Sequence, residues 1–183
     1  MKKFLALALL TTAFSAPSFA AEHEGWVYNG LTGMGYGSVD VGSVSFSDNA
    51  FTSNSNIGYR WGVVGVELGY TTVGNFKSDS GEIHADTGGW NLGVNVNNDI
   101  SDKWSMQGRA GVFGWDVELK NQGAALPGFP ADAKFSNSGT DFYAGVSIDY
   151  TWKQKASVGL GYTYYRAGDV DFSLWGMHSE YRF

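Results

Sequence analysis

Beyond about residue 26, apolar and polar residues alternate in blocks of strand length, and stretches rich in Gly, Asn, Asp and Ser separate the blocks. The alternation is clearest over 63–75. There Val64, Val66, Leu68, Tyr70 and Thr72 share one face and Gly65, Glu67, Gly69 and Thr71 the other. The same period predicts strands over 26–37, 54–60, 83–96, 104–119, 141–152 and 155–166, with an eighth ending at Phe183. Long connections follow strands one, three and five, among them Ser38–Ser53 and Lys120–Thr140. Short ones follow strands two, four and six, Asn98–Asp102 being a turn by composition, and a medium one follows strand seven.

The last strand gives the two faces their character. Trp175, Met177, Ser179, Tyr181 and Phe183 lie on one side, and Gly176, His178, Glu180 and Arg182 on the other. Aromatic and apolar side chains opposite charges of both signs suit a barrel that puts grease outside and polar groups inside. A soluble sandwich or lipocalin-like barrel also alternates, and would use Val64, Val66, Leu68 and Tyr70 as its core with Glu67 in water. The aromatic terminus and the unequal connections favour the membrane alternative. The expected fold is therefore all-β: an eight-stranded antiparallel up-and-down transmembrane β-barrel, its short turns in the periplasm and its long loops outside. Eight strands enclose an interior that side chains just fill. Trp26, Trp61, Trp104, Trp152, Tyr181 and Phe183 fall near strand ends, where interfacial girdles need aromatics.

Composition and charge narrow the picture. The 26 glycines, 10 tyrosines and 7 tryptophans beside only 3 prolines suit bent, crowded β-structure. No stretch after residue 20 approaches the ~20 apolar residues of a spanning helix. Lys2 and Lys3, the apolar run Phe4–Ala13 and the small residues of Ser18-Phe19-Ala20 predict a signal peptide over 1–20, cut after Ala20, with the barrel over 21–183. Without Lys2 and Lys3 the 12 basic residues become 10 against 18 acidic ones, so the net charge moves from −6 to −8. An acidic exported chain lacks the basic patch that nucleic acid needs. With no cysteine, there is no disulfide, thiolate metal site or thiol nucleophile.

The segments Val66–Tyr70, Gly88–Gly93 and Ser179–Phe183, in that order and spacing, resemble the eight-stranded barrel of OmpA-like outer-membrane proteins over essentially the whole mature chain. The resemblance implies a monomer in the cell outer membrane of a Gram-negative bacterium, in contact with outer-membrane lipid and lipopolysaccharide. It also implies that Tyr181 and Phe183 form an assembly signal read by the barrel-assembly machinery. Two-domain members add a peptidoglycan-binding domain; the sequence stops at Phe183, so no cell-wall tether is expected. The family packs ion pairs across the barrel interior. Its acidic positions fall on Glu67 and Asp149 and one basic position on Arg109, while two others are Asn95 and Gly159, so half of a salt-bridge gate is expected.

The inward set read from the alternation is Glu67, Asn91, Asn95, Arg109, Tyr143, Asp149, His178, Glu180 and Arg182. Buried charges must pair, so Arg109 is expected near Glu67 and Asp149, and Arg182 beside Glu180. Such a network fills and stiffens the lumen; the alternative is a narrow low-conductance pore for small solutes or ions. His178-Ser179-Glu180 contains the residue types of a hydrolase, as in lipid A-modifying enzymes built on barrels of this size. Neighbours on a strand point to opposite faces, which splits that cluster, so no catalytic residue is expected. No cofactor or metal is expected either: His84 with Asp79, Glu82 and Asp86 reads as an acidic solvated loop. The Gly-Met-Gly and Gly-Leu-Gly motifs at 33–35 and 159–161 lie mid-strand and are not phosphate loops. Phe46, Phe51, Phe129 and Phe135 in the outer loops are candidates for gripping a host or surface ligand. The expected role is structural or adhesion-type surface interaction.

Overall fold

A computed structural model describes residues 24–41, 44–77, 83–121, 134–153, 155–168 and 170–183. They form β1 (Gly25–Val41), β2 (Val44–Trp61), β3 (Val64–Lys77), β4 (Ile83–Asp99), β5 (Trp104–Asn121), β6 (Lys134–Lys153), β7 (Ala156–Ala167) and β8 (Val170–Arg182). Each strand pairs antiparallel with its sequence neighbour, and β8 also pairs with β1, closing the sheet into a barrel. Closure satisfies the wall's backbone groups internally, as a structure immersed in lipid must. No helix among the described residues is long and apolar enough to cross a membrane; the barrel crosses with strands.

The outward face carries Val64, Val66, Leu68, Leu92, Val94, Ile148 and Leu160, all exposed, in a continuous apolar band. Aromatic rings close the band at the end holding the termini. Tyr59 packs edge-on against Trp26 (5.6 Å) and tilted against Trp61 (4.9 Å), Trp104 meets Tyr150 (5.2 Å), and Tyr181 meets Phe183 (5.2 Å).

The strands are longer than their hydropathy suggests. About 9–11 tilted residues cross a bilayer, whereas β2 has 18, β5 18 and β6 20. The surplus lies at the end away from the termini. Much of Ser38–Ser53 and Lys120–Thr140 is therefore strand and not loop: β1 runs to Val41, β2 starts at Val44, β5 runs to Asn121 and β6 starts at Lys134. Ser136, Asn137, Ser138 and Thr140 are exposed on both faces of β6, and hairpin hydrogen bonds form regardless of which side chains the faces carry. The connection after strand seven is also shorter than expected. Only residues 168 and 169 separate β7 from β8, and Gly168 adopts φ 64°. Residues 1–20, Phe129, Asp79 and Glu82 lie outside the described residues.

The overhang is not a uniform collar. β2 pairs with β3 only as far up as Thr52↔Val73, and β6 with β7 only as far as Tyr143↔Tyr165. β5 and β6 stay in unbroken register from Trp104↔Tyr150 to Lys120↔Lys134. Above the wall, β3–β6 thus rise as one sheet beside the short β7–β8 hairpin.

Candidate functional site: the filled lumen and its rim

Inward side chains form two layers. The layer toward the termini is polar and ionic. Glu180 on β8 accepts both guanidinium nitrogens of Arg60, at 2.9 and 2.8 Å, together with Arg182 Nε at 2.8 Å and Gln107 Nε2 at 3.2 Å. Glu67 on β3 accepts Tyr143 Oη at 2.9 Å and Asn95 Nδ2 at 3.0 Å, with Arg109 Nη1 at 3.8 Å. Arg109 Nη2 donates to Gln107 Oε1 (2.6 Å) and Asn29 Oδ1 (3.0 Å) and reaches His178 Nε2 at 3.1 Å.

A guanidinium can only donate, so His178 Nε2 accepts and Nδ1–H points at Asp149 Oδ1, 2.7 Å away. Ser147 donates to the other oxygen of Asp149 at 2.8 Å. Arg60, Arg109 and Arg182 stand against Glu67, Asp149 and Glu180, three formal charges of each sign among the buried described residues. That balance is what a low-dielectric interior requires.

Beside this network Asn29, Asn54, Asn56 and Asn91 form an amide lattice. Asn56 donates to Asn29 (2.8 Å) and Asn54, Asn91 donates to Asn56, and Asn54 donates to Asn91 (3.1 Å) and Thr71 (2.9 Å). Thr71 then donates to Tyr165 Oη at 3.2 Å, joining the polar layer to the one above it.

The second layer is aromatic and fully buried. Tyr165 stacks on Phe172 (4.8 Å, 7°) and on Tyr143 (5.7 Å, 21°), and Phe113 meets Tyr165 and Phe172 edge-on at 5.0 and 5.7 Å. Leu31, Val73 and Leu174 fill in around them. Space for Tyr143 comes from glycine on the neighbouring strands. A Cβ at Gly111 would stand 2.7 Å from Tyr143 Cε1, and one at Gly93 would collide with Tyr143 Oη. Trp115 caps the layer, its ring beside Gly139 and Gly168, and its Nε1 donates to Asp141 Oδ2 at 2.9 Å. The Gly168 amide donates to the same oxygen at 2.7 Å, drawing the β7–β8 turn over the lumen.

Glu67, Asn91, Asn95, Arg109, Tyr143, Asp149, His178, Glu180 and Arg182 all stand on the inner face, and all are buried. Arg109 faces Glu67, and Arg182 faces Glu180. Asp149, however, pairs with His178 and Ser147 and not with Arg109, because Arg109 is drawn toward Asn29, Gln107 and His178. The half-complete set of charges read from sequence was short by Arg60, which supplies the third guanidinium from β2. Gly159 lies against Asp149, where a side chain would meet the carboxylate at 2.6 Å. Ser179 is on the outer face while His178 and Glu180 are buried, so the three do not converge. Tyr181 and Phe183 are exposed at the terminus-bearing end, the Phe183 amide donating to Trp26 O at 3.0 Å. Phe51 is exposed on β2, outside any loop.

The signal for Arg60 was present: it has the parity opposite to Ile57 and Tyr59. Phe113 shares the parity of Arg109 and Phe172 that of His178, but their apolar character masks that signal, since an apolar residue in a barrel strand reads as lipid-facing.

The family model described as "Outer membrane protein beta-barrel domain" matches residues 6–183. Among solved structures the chain is similar to Ail, the attachment invasion locus protein of Yersinia pestis, at 18% identity and TM-score 0.59, over 87% of this chain and 99% of that one. It is similar to Neisserial surface protein A at 15% identity and TM-score 0.61, over 86% and 96%. It is also similar to the N-terminal β-barrel domain of OprF from Pseudomonas aeruginosa, at 12% identity and TM-score 0.54, over 88% and 100%. At these identities the likeness is one of fold. No curated protein matches the sequence.

Proposed function

The chain belongs to the outer membrane protein β-barrel domain family, and from that premise we propose that this outer-membrane barrel acts through its extracellular rim, as a surface-interaction protein of adhesion type. The carrying observation is the contrast between its two ends. The lumen is occupied from side to side by ion pairs and stacked rings, whereas the strands reach well beyond the apolar band into the space outside. A chain that fills its pore and extends its hairpins has its accessible chemistry at the rim.

The similar Yersinia pestis protein is an attachment invasion locus protein and has been solved with the heparin analogue sucrose octasulfate, which supports this reading. A narrow pore fits the packing less well, because the ring layer would have to disperse before ions passed. A lipid A-modifying enzyme fits less well still, with Ser179 facing lipid. In this reading the interior network is structural, lipid and lipopolysaccharide surround the barrel, and the protein works as a monomer. Tyr181 and Phe183 serve the assembly machinery, and residues 1–20 are removed on export.

Deleting Ala124–Lys134, between β5 and β6 in the sequence, should lower binding of expressing cells to host cells or serum factors while heat-modifiable gel migration is kept. Unchanged binding would refute the rim as the acting surface. Stable unitary conductance in planar bilayers, abolished by Glu67→Ala or Arg109→Ala, would favour the pore instead.

A further inference from the structure

We propose that the terminus-bearing mouth, on its β5–β6–β7 side, holds the headgroup of an anionic phospholipid from the leaflet that faces the periplasm. The site lies at the end opposite the extracellular rim and does not depend on what the rim does. Three exposed lysines carry it: Lys103 in the β4–β5 turn, and Lys153 and Lys155 on either side of the β6–β7 turn. The Thr151 amide donates to Lys103 O at 2.8 Å, Lys153 pairs with Ala156, and the Arg182 amide donates to Lys155 O at 2.8 Å. Each lysine thus stands on backbone tied to a neighbouring strand. β5 and β7 are two strand spacings apart, about 10 Å, with β6 between them.

Continued alternation along β6 would aim Lys153 toward the lumen. The β6–β7 register shifts between Thr151 and Lys153, so two residues of β6 stand against one of β7. A bulge of this kind re-aims a side chain. Lys153 Nζ accordingly lies over the Trp152 ring, 5.8 Å from its centroid. Trp152 faces outward and, at 74%, is the most exposed large apolar side chain among the described residues. Ile100 and Trp104 are exposed on the adjoining turn, Trp104 packed against Tyr150 at 5.2 Å. Aromatics at strand ends mark the headgroup level of the bilayer. The bulge therefore brings an ammonium group to the depth of the lipid phosphates.

The charge of the three lysines is free for a partner. No ion pair among the described residues involves Lys103, Lys153 or Lys155. Acids on the same turns are Asp99, half-buried, and Asp102, exposed. The other side of the mouth differs. Glu24 precedes β1 and accepts Tyr59 Oη at 3.3 Å, and the β2–β3 turn, Gly62-Val63, carries no charge. A cationic sector at headgroup depth attracts a phosphodiester of net negative charge. It discriminates against a zwitterionic headgroup, whose own ammonium it repels.

The test presents the full barrel with equal phosphatidylglycerol and phosphatidylcholine of one acyl composition in mixed micelles, and counts retained lipid by native mass spectrometry. Phosphatidylglycerol should be retained about tenfold over phosphatidylcholine, and the preference should fall as salt is raised. Lys153→Gln should cut it about fivefold, and Lys103→Gln, Lys153→Gln and Lys155→Gln together should abolish it. The same three positions changed to arginine should keep it. Arg166→Gln, near the far end of β7, removes one positive charge and should leave the preference intact. Heat-modifiable gel migration checks that each variant is folded. Equal retention of the two lipids by the wild type, or an equal loss in Arg166→Gln, would overturn the proposal. So would glycerol phosphate competing as well as phosphatidylglycerol, which would give the lysines to a soluble phosphate. Loss of binding to purified peptidoglycan in the triple glutamine variant, with lipid preference unchanged, would overturn it in favour of the cell wall.

Discussion

The Arg60–Glu180 pair is where the packing of the lumen can be weighed. Glu180→Leu would leave Arg60 with its two charge-assisted hydrogen bonds gone, in a site where its side chain is 3% exposed. Arg182, 11% exposed, can turn toward the periplasmic mouth, so most of the loss falls on Arg60. Breaking a buried pair from one side costs about 3–5 kcal/mol, since the surviving charge keeps its desolvation cost without its partner. Arg60→Met should cost less, because Glu180 retains Arg182 at 2.8 Å.

The double variant Arg60→Met with Glu180→Leu removes both charges and replaces them with apolar volume. It should recover most of the loss, the desolvation cost having gone with the charges. Urea unfolding in phospholipid vesicles, followed by tryptophan fluorescence, reads this directly. At ~2 kcal/mol per molar the midpoint for Glu180→Leu falls by about 2 M. A double variant as unstable as Glu180→Leu, or a single costing under about 1 kcal/mol, would refute the claim that unpaired burial governs this end of the lumen.

The same unfolding assay reads three other sites. Leu68→Arg puts a charge into the apolar band of β3 and should cost about 2–4 kcal/mol near the bilayer midplane, with no loss if the outward face does not meet lipid. Phe172→Ala empties part of the stacked layer and should cost about 3–5 kcal/mol; a loss below 1 would mean that the rings are loosely held. Gly93→Ala drives a methyl group at Tyr143 Oη and should cost about 1–3 kcal/mol, with Glu67 losing its phenol donor; wild-type stability would refute the close fit. Removing Phe183 should lower the yield of heat-modifiable barrel in cells while refolding in detergent is spared, and equal yields would argue against an assembly signal.

Most of the wall was legible because each residue of a strand is committed to one face by the pleat. That rule alone placed Glu67, Arg109, Asp149, His178, Glu180 and Arg182 inside, and it separates Ser179 from His178. The same parity, followed through the span 54–60, also places Asn54, Asn56 and Arg60 inside, opposite Ile57 and Tyr59. The overhang was misread. Ser, Asn and Gly mark contact with water, and a hairpin standing in water on both sides has the composition of a loop.

Sequence by itself determined the architecture and the membrane-facing surface, because period-two alternation and lipid solvation act residue by residue. It also determined which charges lie inside. Tertiary structure decided their partners, since Asp149 could choose between Arg109 and His178 only once β5, β6 and β8 were curled to a common axis. It decided, too, that Phe113, Tyr143, Tyr165 and Phe172 stack as one layer, because alternation assigns each ring a face and not a partner.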